Sequence, residues 1–239
     1  MTPEISIVVP VFDEQGNAAA LAREIAAAFD GRAYEMIFVD DASRDGTRAE
    51  LLAAKAELPA LRVLAHAKNA GQSRSIRSGV EAARGVIVVT LDGDGQNVPA
   101  DAPALVDRLK AAPANVGVVH GRRVGRQDSW TKRAGSRIAN PVRAWILGDD
   151  ADDVGCGLKT IRRDLYLRFP YFDHMHRYWP ALTHREGLEV EYLDVSHRPR
   201  GQGVSKYNNL RRLWASLGDL IGVVWLKARA RAPGTVTEA

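Results

Sequence analysis

Two aspartates one residue apart, Asp92 and Asp94, stand in the stretch Thr90-Leu91-Asp92-Gly93-Asp94-Gly95-Gln96-Asn97-Val98-Pro99, directly after the apolar run Val86-Ile87-Val88-Val89. The run has the length and β-branched composition of a buried parallel strand, which places the aspartates at its carboxyl end. Both cannot be buried there without a cation, because an isolated ionised carboxylate in an apolar interior is very costly. If the segment continues extended, Asp92, Asp94 and Gln96 share one side and three oxygen donors converge. Such a set suits Mg2+ or Mn2+, hard ions that take one or two carboxylates and leave other positions to water and substrate phosphates. A polar turn closing a strand uses the same residue types. The place at a strand exit favours the metal, since ligands of open α/β sheets bind at the carboxyl ends of strands.

The elements that must position this group follow from the hydrophobic pattern. Ile5-Ser6-Ile7-Val8-Val9-Pro10-Val11 is a first strand, and Asn17 to Phe29 has helical period with Leu21, Ile25 and Phe29 on one face. Glu35 to Val39 is a second strand, followed by a helix from Arg48 to Leu58. Leu61 to Ala65 is a third, followed by the polar loop His66 to Gln72 and a helix from Ser73 to Ala83 with Ile76 and Val80 inward. Val86 to Leu91 comes next. Strands alternating with helices of this length predict an α/β fold with a mostly parallel sheet and right-handed crossovers. In such a sheet Asp13 and Glu14, Asp40 and Asp41, and Asp92 and Asp94 all lie past strand exits on one edge and line a single crevice. A nucleotide fits there, with carboxylates accepting from base or ribose and the metal carrying the phosphates. No Gly-x-Gly-x-x-Gly opens the first helix and no Walker lysine motif occurs, which disfavours a dinucleotide fold or a P-loop.

The chain has 239 residues, 46% of them hydrophobic, enough for one α/β domain with an appended segment. Its formal net charge of +4 is compatible with a nucleic acid, an anionic membrane or a phosphorylated substrate. Cys156 is the only cysteine, so there is no intramolecular disulfide and no thiolate metal cluster, and a reducing compartment is expected with Cys156 as a buried small residue. Met1 to Ile5 enters a strand almost at once without the basic and apolar regions of a signal peptide, and a cytoplasmic location is the expectation.

Pro10-Val11-Phe12-Asp13-Glu14, Val39-Asp40-Asp41-Ala42-Ser43-Arg44-Asp45-Gly46-Thr47, Asn69-Ala70-Gly71 and Leu91-Asp92-Gly93-Asp94-Gly95-Gln96 resemble, in order and spacing, the family 2 glycosyltransferases. Within that family the chain looks most like the dolichol-phosphate mannose synthases and bacterial polyprenyl-phosphate sugar transferases, over about Ile5 to Tyr207. The resemblance implies a Rossmann-like nucleotide-diphospho-sugar transferase fold of GT-A type, an inverting transfer and a divalent metal. It implies donor contacts at Pro10, Phe12, Glu14, Asp40, Asp41 and Asp92. Phe12-Asp13 departs from the usual Tyr-Asn, and Ser73-Arg74-Ser75 is more polar than the family's small apolar run.

Val116 to Gly121 reads as a further strand delivering Arg122 and Arg123 to the metal's edge, ahead of Arg126, Lys132, Arg133 and Arg137. By resemblance, Arg122, Lys132, Arg133 and Ser136 hold the phosphate of a lipid acceptor, with Lys132 standing where many relatives carry arginine. Asp152 to Lys159 resembles the family's acidic-glycine segment, making Asp153 the candidate near sugar or acceptor, although an N-cap carboxylate has the same pattern. Thr160 to Leu167 suggests a strand passing into a helix. His176-Arg177-Tyr178-Trp179-Pro180 resembles a structural or acceptor-facing segment, and His174 and His176 lack a zinc motif. Val190 to Val195 alternates as a strand. The basic loop His197 to Tyr207 resembles a closing loop whose Arg200 and Lys206 fold over the donor diphosphate.

These expectations make a membrane-bound reaction: a hexose passes from a GDP- or UDP-type sugar to a polyprenyl monophosphate, with Asp94, Arg122 and Asp153 as catalytic residues. A phosphate monoester, with its second pKa near roughly 6, needs positioning rather than a strong base. The alternative is transfer to a sugar hydroxyl, where Asp153 would serve as base. A nucleic-acid partner is disfavoured because no helix-turn-helix, zinc or RNP-like pattern occurs and no aromatics are interleaved with the arginines. The expected organisation is a catalytic domain over 1–209, an amphipathic helix over 210–231 and a disordered tail over 232–239. Leu210, Leu213, Trp214, Leu217, Leu220, Ile221, Val224 and Trp225 recur on one helical face, opposite Arg211, Arg212, Ser216 and Asp219. The stretch falls short of the roughly 20 apolar residues that span a bilayer. It fits an interfacial helix at the cytoplasmic membrane face, a helix on the protein's own core, or one on a membrane-embedded partner subunit. The lipid acceptor favours the first.

Overall fold

A computed structural model describes residues 2–124, 146–149, 153–199 and 209–231, with the side chains of the last helix from residue 217 onward. Lys132, Arg133, Ser136, Arg200 and Lys206, together with the tail 232–239, lie outside the described residues.

Seven strands form one sheet: β1 (Ile5–Val11), β2 (Tyr34–Asp40), β3 (Leu61–Ala65), β4 (Ile87–Thr90), β5 (Val116–Arg123), β6 (Lys159–Arg162) and β7 (Glu189–Val195). The spatial order is β3-β2-β1-β4-β6-β5-β7. β1, β2, β3 and β4 pair in parallel, as do β5 and β7, while β6 runs antiparallel between β4 and β5. The mostly parallel sheet is thus as expected. The reversal at β6 has no signal in the apolar runs, because a buried strand is equally apolar in either direction.

Among the described residues these α-helices accompany the strands: α1 (Ala18–Ala28), α2 (Thr47–Ala54), α3 (Gln72–Ala82), α4 (Ala102–Ala111), α5 (Arg163–Arg168), α6 (Trp179–Arg185) and α7 (Asn209–Ala228). Strand alternation separates the core into two layers. Ile5, Ile7 and Val9 of β1 join Leu21 and Ile25 of α1 and Leu105 and Leu109 of α4 on one face. Val8 joins Ile76 and Val80 of α3, Trp179 and Leu182 of α6 and Val223 of α7 on the other. Val86, expected inside its strand, is 67% exposed, since pairing begins at Ile87.

On the α3 face, β1, β2, β3 and the turn after α3 are tied together at the amino end of the sheet by Glu35. Its carboxylate accepts from Ser6 Oγ at 2.7 Å, Arg62 Nη1 at 2.5 Å and the Arg84 backbone N–H at 2.6 Å. Burial pushes this carboxyl upward, but the three donors together outweigh it and hold it below the usual range.

The last helix divides its apolar surface. Val223 is buried and Leu220 packs beside it, whereas Leu217, Ile221, Val224 and Trp225 are exposed at 46, 72, 39 and 59%. Helical spacing makes these exposed residues one stripe next to the buried one. Among the described residues no helix is long and apolar enough to cross a membrane.

Candidate active site

A cavity of about 600 Å3 opens at the carboxyl ends of β1, β2 and β4. Pro10, Phe12, Glu14, Asp41, Asp92, Asp94 and Gln96 all line it, together with Asn69, Gly71, Gln72, Asp173, His174, His176 and Arg177. The crevice expected at the strand exits therefore exists, and the parallel register of β1 against both β2 and β4 creates it.

The Asp92–Gln96 segment is a turn, not the extended chain expected, with Gly95 at φ +73°. Asp92 and Asp94 nevertheless face the same cavity, because the turn is held from both sides. Asn97 Oδ1 accepts from the Asp92 N–H at 3.0 Å and Asp94 Oδ1 from the Gln96 N–H at 3.1 Å. Asn97 bridges to His197, the Arg198 N–H donates to the Gln96 carbonyl at 3.1 Å, and Arg198 Nε donates to the Gly95 carbonyl. Gly157 passes directly beneath: a Cβ there would stand 2.3 Å from Asp92 Cγ, so only glycine admits the carboxylate.

Burial first and the Asp94 charge second push the Asp92 carboxyl up to about 6, against the pull of Lys159 and Arg123. A buried carboxyl whose ionisation a neighbouring aspartate opposes is a site that a divalent cation relieves. Two carboxylates facing space for phosphates match what Mg2+ or Mn2+ takes from a protein. Among the described residues no group of three or more His, Cys, Asp or Glu could hold a metal ion, so positions beyond the two carboxylates would fall to water, substrate or the Gln96 amide.

The other acidic residues divide by function. Asp41 lines the cavity but shapes it: its Oδ1 and Oδ2 accept from the Ala70 and Gly71 N–H groups at 2.9 and 2.8 Å, and His66 Nδ1 lies 2.7 Å from Oδ1. Gly71 meets this demand at φ +87°, opening α3 with Gln72 turned to Asp92 Oδ1 at 2.8 Å. Asp40 is a correction to the donor set. Fully buried, it does not line the cavity, and its oxygens accept from the Ser43 N–H at 3.0 Å and Arg48 Nε at 2.6 Å.

Arg122 and Arg123 are consecutive on β5, so they face opposite sides of the sheet. Arg122, chosen from sequence, pairs with Asp194 at 2.6 Å on an exposed surface and lines neither cavity described here. Arg123 is the buried member of the pair, although it too lines neither cavity. It grips Asp153 through Nε and Nη2, each at 2.7 Å, and its own N–H donates to the same carboxylate at 3.2 Å. Asp153, expected near the sugar or acceptor, is engaged as a partner of Arg123 and lines neither cavity. Burial alone would lower the Arg123 pKa, but Asp153 raises it, so the guanidinium stays charged beside Asp92.

Lys159 carries no role in the sequence, where it is the last residue of the acidic-glycine segment. It is 3% exposed at the start of β6; its Nζ donates to the His176 carbonyl at 2.6 Å and stands 5.2 Å from the Trp179 ring centroid. Burial pushes its ammonium down to about 8. Cys156 is buried as expected, and burial raises its thiol to about 11, so it is unsuited to nucleophilic work at neutral pH.

Residues 6–170 match the family described as Glycosyl transferase family 2. The chain is 32% identical over 238 residues to the dodecaprenyl-phosphate galacturonate synthase of Rhizobium johnstonii, covering 97% of this chain and 69% of that protein. It is 34% identical over 221 residues to the undecaprenyl-phosphate 4-deoxy-4-formamido-L-arabinose transferase of Edwardsiella ictaluri, covering 91% and 66%. The chain thus spans about two thirds of the length of these curated relatives. The fold is similar to that of glucosyl-3-phosphoglycerate synthase from Mycobacterium tuberculosis, with a TM-score of 0.71 at 20% identity over 97% of this chain and 82% of that one. By the family match and by these relatives, the chain belongs to glycosyl transferase family 2.

Proposed function

We propose that the protein transfers a sugar from a nucleotide-diphosphate donor to a polyprenyl monophosphate, with inversion at the anomeric carbon and with Mg2+ or Mn2+. The observation that carries this reading is the convergence of Asp92 and Asp94 on a 600 Å3 cavity at the exits of parallel strands. The cavity has room for a nucleotide, and its walls present carboxylates where a base or ribose needs acceptors. The acceptor class rests on the relatives, whose names specify dodecaprenyl and undecaprenyl phosphates. The metal has support from the similar fold, which holds Mn2+ with UDP-glucose and, separately, Mg2+ with UDP.

Pro10, Phe12, Glu14 and Asp41 form the nucleotide end of the cavity. Asp92, Asp94 and the Gln96 amide hold the metal, which when bound neutralises charge on the leaving diphosphate. Asp94 reaches this position because the 92–96 turn is pinned by Asn97 and Arg198. Arg123, fixed by Asp153, adds a permanent positive charge that acts on the metal site through Asp92 from behind the cavity wall; Arg122, paired with Asp194 on the exposed surface, meets an acceptor arriving from outside. Lys132, Arg133 and Ser136 complete the acceptor phosphate site in this reading, and Arg200 and Lys206 close over the donor. A phosphate dianion attacks without proton removal, and the engagement of Asp153 by Arg123 favours this over a hydroxyl acceptor that requires a base.

We further assign the exposed stripe Leu217, Ile221, Val224 and Trp225 to the surface of the membrane that carries the acceptor, at its cytoplasmic face, or to a membrane-embedded partner subunit. The discriminating experiment offers UDP- and GDP-sugars with Mn2+ to undecaprenyl phosphate and, in parallel, to undecaprenol and to free sugars. Product is expected with the phosphate alone. Equal transfer to a sugar hydroxyl would replace the lipid-phosphate reading with the hydroxyl one.

A further inference from the structure

One segment of the cavity wall has two sides. Asp173, His174, His176 and Arg177 line the 600 Å3 space, and His176 and Arg177 also line a smaller cavity of about 140 Å3 beside Asp92. From the other side the same segment belongs to the layer that receives α7. Met175 is fully buried in one cluster with Tyr178, Trp179 and Val223 of α7, and Leu220 packs against that cluster. The second half of the segment is fastened to β6 and α3: the His176 carbonyl accepts from Lys159 Nζ at 2.6 Å, and His176 Nδ1 lies 2.7 Å from Ser73 Oγ.

The first half is fastened differently. His174 precedes the short 3-10 turn Met175–Arg177 in the left-handed conformation, at φ +62°. A residue with a side chain stays in that region only where its surroundings hold it. Its N–H donates to Asp173 Oδ1 at 2.8 Å and its carbonyl accepts from the Arg177 N–H at 3.0 Å, both within the segment. Among the described residues, its polar contact with another element is the one to α7, where Asp219 Oδ2 lies 3.0 Å from Nδ1. An ionised carboxylate only accepts, so Nδ1 carries the hydrogen and the ring is held in one tautomer. Nε2 then lies 3.6 Å from Asp173 Oδ2, another group of the cavity wall. Asp219 stands one helical turn before Val223 on the same face, with its side chain 21% exposed, so packing of Leu220 and Val223 brings the carboxylate onto the ring. For packing alone an apolar side chain serves better there, since a carboxylate gives up hydration as it approaches the body.

We propose that Asp219 is a positioning residue for the donor cavity: through His174 it holds the Asp173–His174 part of the wall, so that α7 shapes donor binding besides carrying the exposed stripe. The assignment rests on the donor reading above and adds to it a part played by the appended helix. The contact lies on the packed edge of α7 and therefore acts without lipid.

The test measures affinity for UDP, UDP-glucose, GDP and GDP-mannose by titration calorimetry with Mn2+ and no lipid. The full chain is used as wild type, Asp219→Ala, Asp219→Asn, His174→Asn and the double variant Asp219→Ala with His174→Asn. Alanine is the better helix former, so Asp219→Ala does not weaken α7 itself. Asparagine tolerates the left-handed conformation at 174 but lacks the reach of the imidazole. For the ligand that wild type binds best, each single loss is expected to lower affinity by about fivefold to tenfold, and the double variant by no more than the larger single. Asp219→Asn, which keeps an acceptor oxygen, should retain most of the affinity. Thermal midpoints and helix content should stay close to wild type. His174→Asn should bind anionic liposomes as wild type does, because Leu217, Ile221, Val224 and Trp225 are untouched. Donor affinity within about twofold of wild type in both single variants, or losses that add in the double variant, would make the pair a fastening of α7 alone and overturn the positioning role while the donor reading stands. A loss of affinity that accompanies a lowered thermal midpoint and is not rescued by Asp219→Asn would overturn it in the same way. If wild type binds none of the four ligands with Mn2+, the donor reading fails and the positioning role falls with it.

Discussion

At Gly157 the absence of a side chain decides where a carboxylate can stand. A Cβ at 2.3 Å from Asp92 Cγ must displace it, and the backbone on which it sits cannot yield freely between Thr90 and β6. Gly157→Ala is therefore expected to weaken Mn2+-dependent nucleotide binding by tenfold or more with the secondary structure retained, as read by calorimetry and circular dichroism. The two arginines on β5 give a second residue-level outcome. Arg123→Ala should lower kcat/KM for transfer by about two orders of magnitude, roughly 2.7 kcal/mol of transition-state stabilisation. Arg122→Ala should act through KM for the polyprenyl phosphate and leave donor affinity little changed. An equal loss of donor affinity in Arg122→Ala would move that residue to the donor side. Sequence showed the Arg-Arg pair and its strand but not which member turns inward, because alternation fixes only that they differ. Lys159 was hidden for a related reason: nothing in the letters separates a buried lysine from the solvated ones around it. The aspartates were legible because residue type, spacing and a preceding buried strand all pointed one way, although the turn that joins them was not foreseen.

Among the elements, β1 to β4 with α1, α2 and α3 followed from periodicity to within a few residues, since each amphipathic face has one layer to join, whereas α4 and α6 were not read. What periodicity could not show is how strands without sequence contact are fastened. Ser6, Glu35, Arg62 and the Arg84 backbone connect β1, β2, β3 and the turn after α3 through one carboxylate. Removing it leaves a guanidinium and a buried N–H without their acceptor, so Glu35→Ala should destabilise the fold by on the order of 3 kcal/mol at neutral pH. Because its folded-state pKa lies below the unfolded one, this contribution is full above about pH 4.5 and falls as pH drops through the folded-state value. Urea unfolding of wild type and variant at pH 7 and at progressively lower pH should show the difference shrinking in acid. A difference that grows in acid would contradict the assigned charge state.

At the scale of the molecule, α7 joins the catalytic body to what lies outside it. Asp219, read from sequence as part of an outer polar face, instead turns inward: its Oδ2 lies 3.0 Å from Nδ1 of His174, a residue of the cavity wall. Arg185 Nε donates to the Leu226 carbonyl at 3.4 Å, and Lys227 Nζ donates to the Leu147 carbonyl. One apolar edge of the helix packs on the protein's own core, which is one of the placements open in the sequence, and the adjacent edge is exposed and available to the proposed membrane contact. Deleting the chain after Tyr207 is expected to reduce binding to anionic liposomes and transfer to long-chain acceptors. Replacing Ile221 and Trp225 with glutamine should do the same without removing the packed edge. Unchanged liposome binding in both would remove the membrane assignment.

Whether Asp92 and Asp94 hold a metal that carries the donor diphosphate is decided by calorimetric binding of a nucleotide diphosphate sugar with Mn2+ to wild type and Asp94→Ala. Wild type is expected to bind with Mn2+ and to lose binding on chelation, and Asp94→Ala to fold normally yet neither bind the donor with Mn2+ nor transfer the sugar. Full transfer by Asp94→Ala in the presence of a chelator would contradict the account.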